Sequence, residues 1–113
     1  MADTLFTKII NREIPADIVY EDDLCLAFKD INPQAPLHIL VIPKKHIGKI
    51  SDADKNEQDL LGHIFLKAGE IAKKNGYGDA FRLVINNGED AGQTVFHLHV
   101  HILAGRNFTW PPG

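Results

Sequence analysis

The chain has 113 residues, 44% of them hydrophobic and 24% charged, with a formal net charge of -3. That length makes one domain, 1–113, able to hold its own core, and the negative balance argues against a nucleic-acid backbone as partner. A lone cysteine rules out an internal disulfide, no apolar run approaches the roughly 18 residues of a membrane span, and Met1-Ala2-Asp3-Thr4 lacks the layout of a leader; the expected address is the cytoplasm.

Asp3 or Thr4 can cap a short helix over Leu5–Asn11, with Leu5, Phe6, Ile9 and Ile10 on its apolar side and Pro15 as its stop. Phe6, Ile9 and Ile14 read first as core. Ile18–Tyr20 is a first strand, Glu21-Asp22-Asp23 a turn and Leu24–Asp30 a second strand, which includes Phe28 and buries the Cys25 thiol. Asp30 closes that strand beside a turn at Asn32-Pro33-Gln34. Its carboxylate can shape the turn, or it can accept two hydrogen bonds from a ribose diol. Leu37–Pro43 is nearly all apolar and reads as a central strand covered on both faces. His38 interrupts it, either as a core histidine with a hydrogen-bond partner or as part of a site.

Ser51-Asp52 can cap a long helix reaching Asn75, with Leu60, Leu61, Ile64, Phe65, Ala68, Ile71 and Ala72 at helical spacing and His63 on the surface. Phe81–Asn86 is a fourth strand. Asn86 at its end can be a turn residue or a phosphate ligand. In the loop that follows, Gly92 lets backbone N–H groups approach an anion, and Gln93 and Thr94 add side-chain donors. The last strand holds His97-Leu98-His99-Val100-His101-Ile102-Leu103. The element order predicts an α+β fold: a five-stranded antiparallel sheet with one long helix on one face and a short N-terminal helix. The histidines must then use the opposite face or its edge.

On a strand, His97, His99 and His101 share one face, while Phe96, Leu98, Val100 and Ile102 share the other. Three readings are open. The imidazoles can be polar residues facing water. They can hold a metal, which could take two of them with ligands from elsewhere, since His97 and His101 start about 13 Å apart; the nearby carboxylates, Glu89 and Asp90, sit in a loop, and the one cysteine is far off at position 25. Or His99 can be a nucleophile, its second nitrogen fixed by an acceptor; this reading is favoured. No Walker-type lysine follows, and the nearest cations in sequence are Arg82 and Arg106. A single α-phosphate suits such a site better than a triphosphate.

The pattern His-φ-His-φ-His-φ-φ of His97–Leu103, φ being apolar, resembles the signature of the histidine-triad (HIT) family of nucleotide hydrolases and transferases. Ile14-Pro15-Ala16, Tyr20-Glu21-Asp22-Asp23, Ala27-Phe28-Lys29-Asp30-Ile31, Pro33-Gln34-Ala35-Pro36, His38–Lys44 and the tail Trp110-Pro111-Pro112-Gly113 resemble its Hint branch in order and spacing. The resemblance implies a purine nucleoside 5′-phosphoramidate hydrolase that cleaves P–N bonds through a covalent nucleotidyl-histidine. His99 would attack phosphorus, His101 would stabilise the phosphoryl oxygens, His97 would orient His99 through its backbone carbonyl, and His38 would complete the relay. It assigns Asn86, Gly92, Gln93 and Thr94 to nucleotide contacts, with Ser frequent where Thr94 stands. Asp30 falls to the ribose, and Ile31, Phe6, Ile9, Ile14 and Phe28 to the nucleoside. The ligands implied are AMP or GMP phosphoramidates or aminoacyl-adenylates, with no metal, cofactor, nucleic acid or membrane. A homodimer with joined sheets is implied, Trp110 lying beside the partner's site on the leaving-group side. The alternatives are a dinucleoside polyphosphate hydrolase, against which the tail and the few cations argue, and a non-catalytic nucleotide or zinc-binding module.

Overall fold

Strand β3, Leu37–Pro43, is buried along its whole length, as its apolar sequence requires, and the fold is built on its two faces. A computed structural model describes residues 3–113; Met1 and Ala2, part of the expected leader-free start, lie outside them. The other strands are β1 (Ile18–Glu21), β2 (Cys25–Lys29), β4 (Phe81–Val84) and β5 (Val100–Ala104). They form one sheet in the order β1-β2-β3-β5-β4, every neighbouring pair antiparallel. The predicted α+β fold with five strands is what the chain adopts.

Alternation along β3 divides the core in two. Leu37, Ile39 and Val41 join Cys25, Ala27, Val100, Ile102 and Ala104 under Ile64, Ala68, Ile71 and Ala72 of helix α2 (Gln58–Lys74). Leu40 and Ile42 join Leu26 and Phe28 under Phe6 and Ile9 of helix α1 (Leu5–Ile10). Burying one such side chain contributes roughly 1.5–3 kcal/mol, so β3, packed on both sides, is a rigid base for whatever stands on it. Leu40 pairs with His101 and His38 with Leu103. The histidines of β3 and β5 therefore lie on the α1 face, opposite the long helix.

Several boundaries differ from expectation. Thr4 caps α1, its hydroxyl accepting from Thr7 N–H, but the helix ends at Ile10. Arg12, at φ 63°, turns the chain in the left-handed region before Pro15 is reached. Ser51-Asp52 forms a 3-10 turn and does not start α2. A capping box opens the next 3-10 turn, Lys55–Glu57, which leads directly into α2, with Asp54 accepting from Asn56 N–H and Glu57 reaching back to Asp54 N–H. His63 is not a free surface group, since its Nε2 donates to Asp22 Oδ2 across 2.6 Å. β4 stops at Val84, short of Asn86. β5 begins only at Val100, and Phe96 is 42% exposed instead of joining the apolar face. No helix among the described residues is long and apolar enough to cross a membrane.

Candidate active site

His97, His99 and His101 stand on an extended run that enters the sheet only at its end. Leu98 N–H donates to Ile47 carbonyl at 2.7 Å, and His97 Nε2 donates to Pro43 carbonyl at 2.7 Å. His97 is fully buried, its Nδ1 unpartnered among the described residues, and its ring packs edge-on to Phe6 and His46. The expected row of three imidazoles facing a cleft is thus a row of two, because the first ring is spent on anchoring the segment. What His97 presents to the next histidine is its backbone carbonyl.

That carbonyl lies 2.8 Å from His99 Nδ1. A carbonyl can only accept, so His99 carries its proton on Nδ1 and keeps a bare lone pair on Nε2. The next histidine takes the opposite form by a longer route. Gln34 N–H donates to His38 Nδ1 at 3.0 Å. With Nδ1 accepting, the one proton of neutral His38 sits on Nε2, which lies 2.9 Å from His101 Nδ1. His101 must accept there, so its own proton sits on Nε2. Burial pushes all four imidazoles below the ordinary histidine range. For His101, burial and the neighbouring His99 and His38 bring the value to about 4. For His38 and His99 the Asp30 charge opposes the effect without cancelling it. Neutral tautomers therefore hold at pH 7, with an acceptor nitrogen on His99 and a donor nitrogen on His101.

Both rings line a cavity of about 260 Å³. Phe6, Ile9, Ile14, Phe28 and Leu40 make its apolar wall, and Asp30 and Thr94 stand with the histidines on its polar side. Phe6 meets Phe28 edge-on at 5.4 Å and His99 at 5.0 Å, which links the apolar wall to the reactive ring. Asp30 does two things: Oδ1 accepts from Asn32 N–H at 2.8 Å and so shapes the turn, while Oδ2 lies 3.4 Å from His38 Nε2. Ile31 is almost wholly exposed at the rim. Leu5, Pro15, Ala16, Lys29 and Val95 also line the cavity and carry no signal in the sequence that marks them for it. Lys29 is the instructive case. It ends an alternating strand, where a lysine signals only a solvated edge, and it pairs loosely with Asp17 at 3.6 Å.

The Gly92-Gln93-Thr94 loop is arranged differently from expectation. Gly92 sits at φ 98°, where a side chain is strained, and a Cβ there would lie 3.8 Å from the Asn86 amide nitrogen. Gln93 is buried and its side chain is fully engaged. Oε1 accepts from Gly88 N–H, and Nε2 donates to the carbonyls of Gly48 and Val95. It ties the loop to the segment before α2 and is not a free phosphate donor, which leaves Thr94 as the loop side chain facing the cavity. Asn86, Gly92 and Gln93 are not among the residues that line the cavity. Trp110 is 83% exposed and outside the cavity of its own chain.

A family model for the HIT domain matches residues 11–108. The chain belongs to the HIT family. An HIT-like protein of Synechocystis is 68% identical over 111 residues, covering 98% of this chain and 97% of that protein. Among solved structures, an HIT family hydrolase from Legionella pneumophila superposes with a TM-score of 0.96 at 48% identity, covering 98% of this chain and 100% of that chain. A histidine triad protein from Clostridium difficile gives 0.90 at 49% identity, covering 96% of each. The five-stranded sheet with its single long helix is thus the HIT fold, of the type found in HIT family hydrolases.

Among the described residues of this HIT domain two trios bring ligand-type atoms within 4.8 Å of one another: Asp30, His38 and His101 at the cavity, and Asp22, Cys25 and His63 by the β1–β2 turn. In the first, His38 bonds His101 and Asp30 lies 3.4 Å from His38 Nε2; in the second, His63 bonds Asp22. Burial, reinforced by Asp22, pushes the Cys25 thiol up to about 12, which keeps it a neutral core group.

Proposed function

We propose that this HIT domain is a purine nucleoside 5′-phosphoramidate hydrolase of the Hint type. The observation that carries the reading is the opposed protonation of two adjacent rings, a bare His99 Nε2 beside a protonated His101 Nε2, at the polar side of an apolar cavity. In this reading the base lies against Phe6, Ile9, Ile14, Ile31 and Phe28, and Asp30 Oδ2 accepts from the ribose hydroxyls. Asn86, Gly92, Gln93 and Thr94 surround the phosphate, Gln93 by shaping its loop. His99 Nε2 attacks the α-phosphorus as the P–N bond breaks, and the departing amine takes its proton from water. His101 is neutral and stays so: its Nε2–H is a hydrogen-bond donor to the phosphoryl oxygens, where charge develops. Water then attacks the nucleotidyl-histidine and gives up its proton to the hydroxide left by the first step, His99 leaves with its electron pair, and the monophosphate is released.

Two copies of the chain pair in this proposal, the partner's Trp110 flanking the leaving group, and the enzyme acts in the cytoplasm without metal or cofactor. The test is intact-mass analysis after a short pulse of adenosine 5′-phosphoramidate. A nucleotidyl adduct mapping to His99 is expected, and His99→Ala is expected to lose turnover by roughly 10³-fold or more while AMP still binds. Turnover at the wild-type rate in His99→Ala, or binding with neither adduct nor product in the wild type, overturns the reading.

A further inference from the structure

The donor nitrogen of His101 owes its proton to a backbone amide two hydrogen bonds away. Gln34 N–H sits in the loop Pro33-Gln34-Ala35-Pro36, outside the sheet, and a single amide at such a place orders a relay only if its own aim is held. It is held from the turn that follows β5, at the same end of the sheet. Arg106 Nε donates to the Gln34 carbonyl at 2.9 Å, so the residue whose N–H meets His38 is fixed at its C=O as well. The turn after β5 is seated on the same loop: at Gly105, φ +97°, a Cβ would lie 2.8 Å from Pro36 Cβ and 3.2 Å from the Tyr77 hydroxyl. Only glycine allows that approach, and it delivers Arg106 to Gln34. The guanidinium is steadied in turn. Its carbon lies 4.3 Å from the Phe108 ring centre, with Arg82 at 5.2 Å from the same ring, and its NH1 donates to Asn107 carbonyl.

We propose that Arg106 is a positioning residue that sets the tautomer of His101 from outside the cavity, through Gln34 and His38. When Gln34 drifts, His38 is free to carry its proton on Nδ1 and to accept at Nε2. His101 must then donate from Nδ1, and its Nε2 turns a lone pair toward the phosphoryl oxygens it should hold. Since the base-binding groups are untouched and Asp30 meets the relay only through its 3.4 Å contact with His38 Nε2, the loss falls mainly on kcat. The kinetic part of this inference rests on the phosphoramidase reading; the tautomer does not.

Two-bond 15N–1H correlation spectra of the labelled, ligand-free protein at neutral pH read both tautomers directly. The wild type is expected to show Nε2–H for His38 and His101. In Arg106→Ala the His101 signals move toward a mixture of Nδ1–H and Nε2–H, and kcat on adenosine 5′-phosphoramidate falls roughly 10-fold with KM within about twofold. Arg106→Lys, which keeps a donor for the Gln34 carbonyl, recovers most of the wild-type pattern. Phe108→Ala, a milder change that leaves every member of the relay in place, shifts the same signals in the same direction. An unaltered His101 tautomer in folded Arg106→Ala, or in Phe108→Ala if the first variant does not fold, overturns the proposal. Shifted tautomers in a protein that never hydrolyses the phosphoramidate sustain the positioning role and remove the proposed function instead.

Discussion

His99 and His101 are the same residue type, two positions apart, under the same apolar cover, yet one turns a lone pair to the cavity and the other a proton. The difference lies in what stands behind each ring: a carbonyl that can only accept behind His99, and behind His101 a second imidazole whose proton is placed by an amide. Such an arrangement works only while the rings are neutral, and burial secures that by lowering each affinity for a second proton. A group with a lowered folded-state pKa keeps its neutral form as pH falls through the ordinary histidine value. The acid limb of kcat/KM on a phosphoramidate should therefore lie below pH 6.5, the unperturbed value. Rates measured from pH 4 to 8 decide it; a limb centred at 6.5 or above would mean that the nucleophile is a solvated histidine and that His99 Nε2 is not the attacking atom.

Between elements, the densest junction is the β1–β2 turn. Asp22 Oδ1 accepts from Leu24 and Cys25 N–H at 2.8 Å each, and Oδ2 accepts from the Tyr20 hydroxyl at 2.7 Å and from His63 of α2. Burial alone would raise this carboxyl; the hydrogen bonds outweigh it and hold it far below the usual range. Asp22→Ala strands four donors and should cost roughly 2–4 kcal/mol by urea unfolding, most of it at neutral pH, where the wild-type carboxylate is ionised. A loss under about 1 kcal/mol would mean that water replaces the carboxylate without penalty.

Some of these elements are plainer in the sequence than others, for physical reasons. β3 is legible to the residue because a strand covered on both faces is apolar at every position. The start of α2 is ambiguous although Asp54-Lys55-Asn56-Glu57 carries the box spacing. Ser51-Asp52 satisfies the same local preference, and only nearness to the apolar run at Leu60 separates them. The triad strand reads as too long because alternation continues through His97. The ladder beyond Val41 and Val100 would next need Pro43, which has no N–H and whose carbonyl takes the His97 ring instead. Gln93 and Gln34 are opaque in opposite ways. Gln93 has the sequence context of a free donor but is consumed by Gly48, far away in the chain. Gln34 has the context of turn filler, yet its backbone amide decides which nitrogen of His101 is protonated.

At the scale of the whole molecule, the sheet has two edges, and the β4 edge adjoins an apolar surface. β4 ends the strand order, and beside it α2 turns Phe65 and Leu66, the latter 71% exposed, over a depression shared with Gly69, Gly78 and Phe81 and rimmed by Glu70 and Lys73. An open ladder next to exposed apolar side chains invites a further strand. In the proposed homodimer a second copy related by a two-fold axis would supply it, joining two five-stranded sheets edge to edge and covering Phe65 and Leu66 on both chains. The same proposed pairing would give the C-terminal Trp110, 83% exposed on its own chain, a surface to occupy. Light scattering is expected to return about twice the 12.6 kDa of one chain. Leu66→Glu changes a side chain that is exposed within the protomer, so its fold and circular dichroism should stay as they are. Across a two-fold contact, however, the substitution buries a carboxylate on each chain, and burying unpaired charge is costly enough to shift the equilibrium to monomer. A wild-type protein that scatters as a single chain at every concentration would leave the β4 edge uncovered and remove the partner's Trp110 from the leaving-group side.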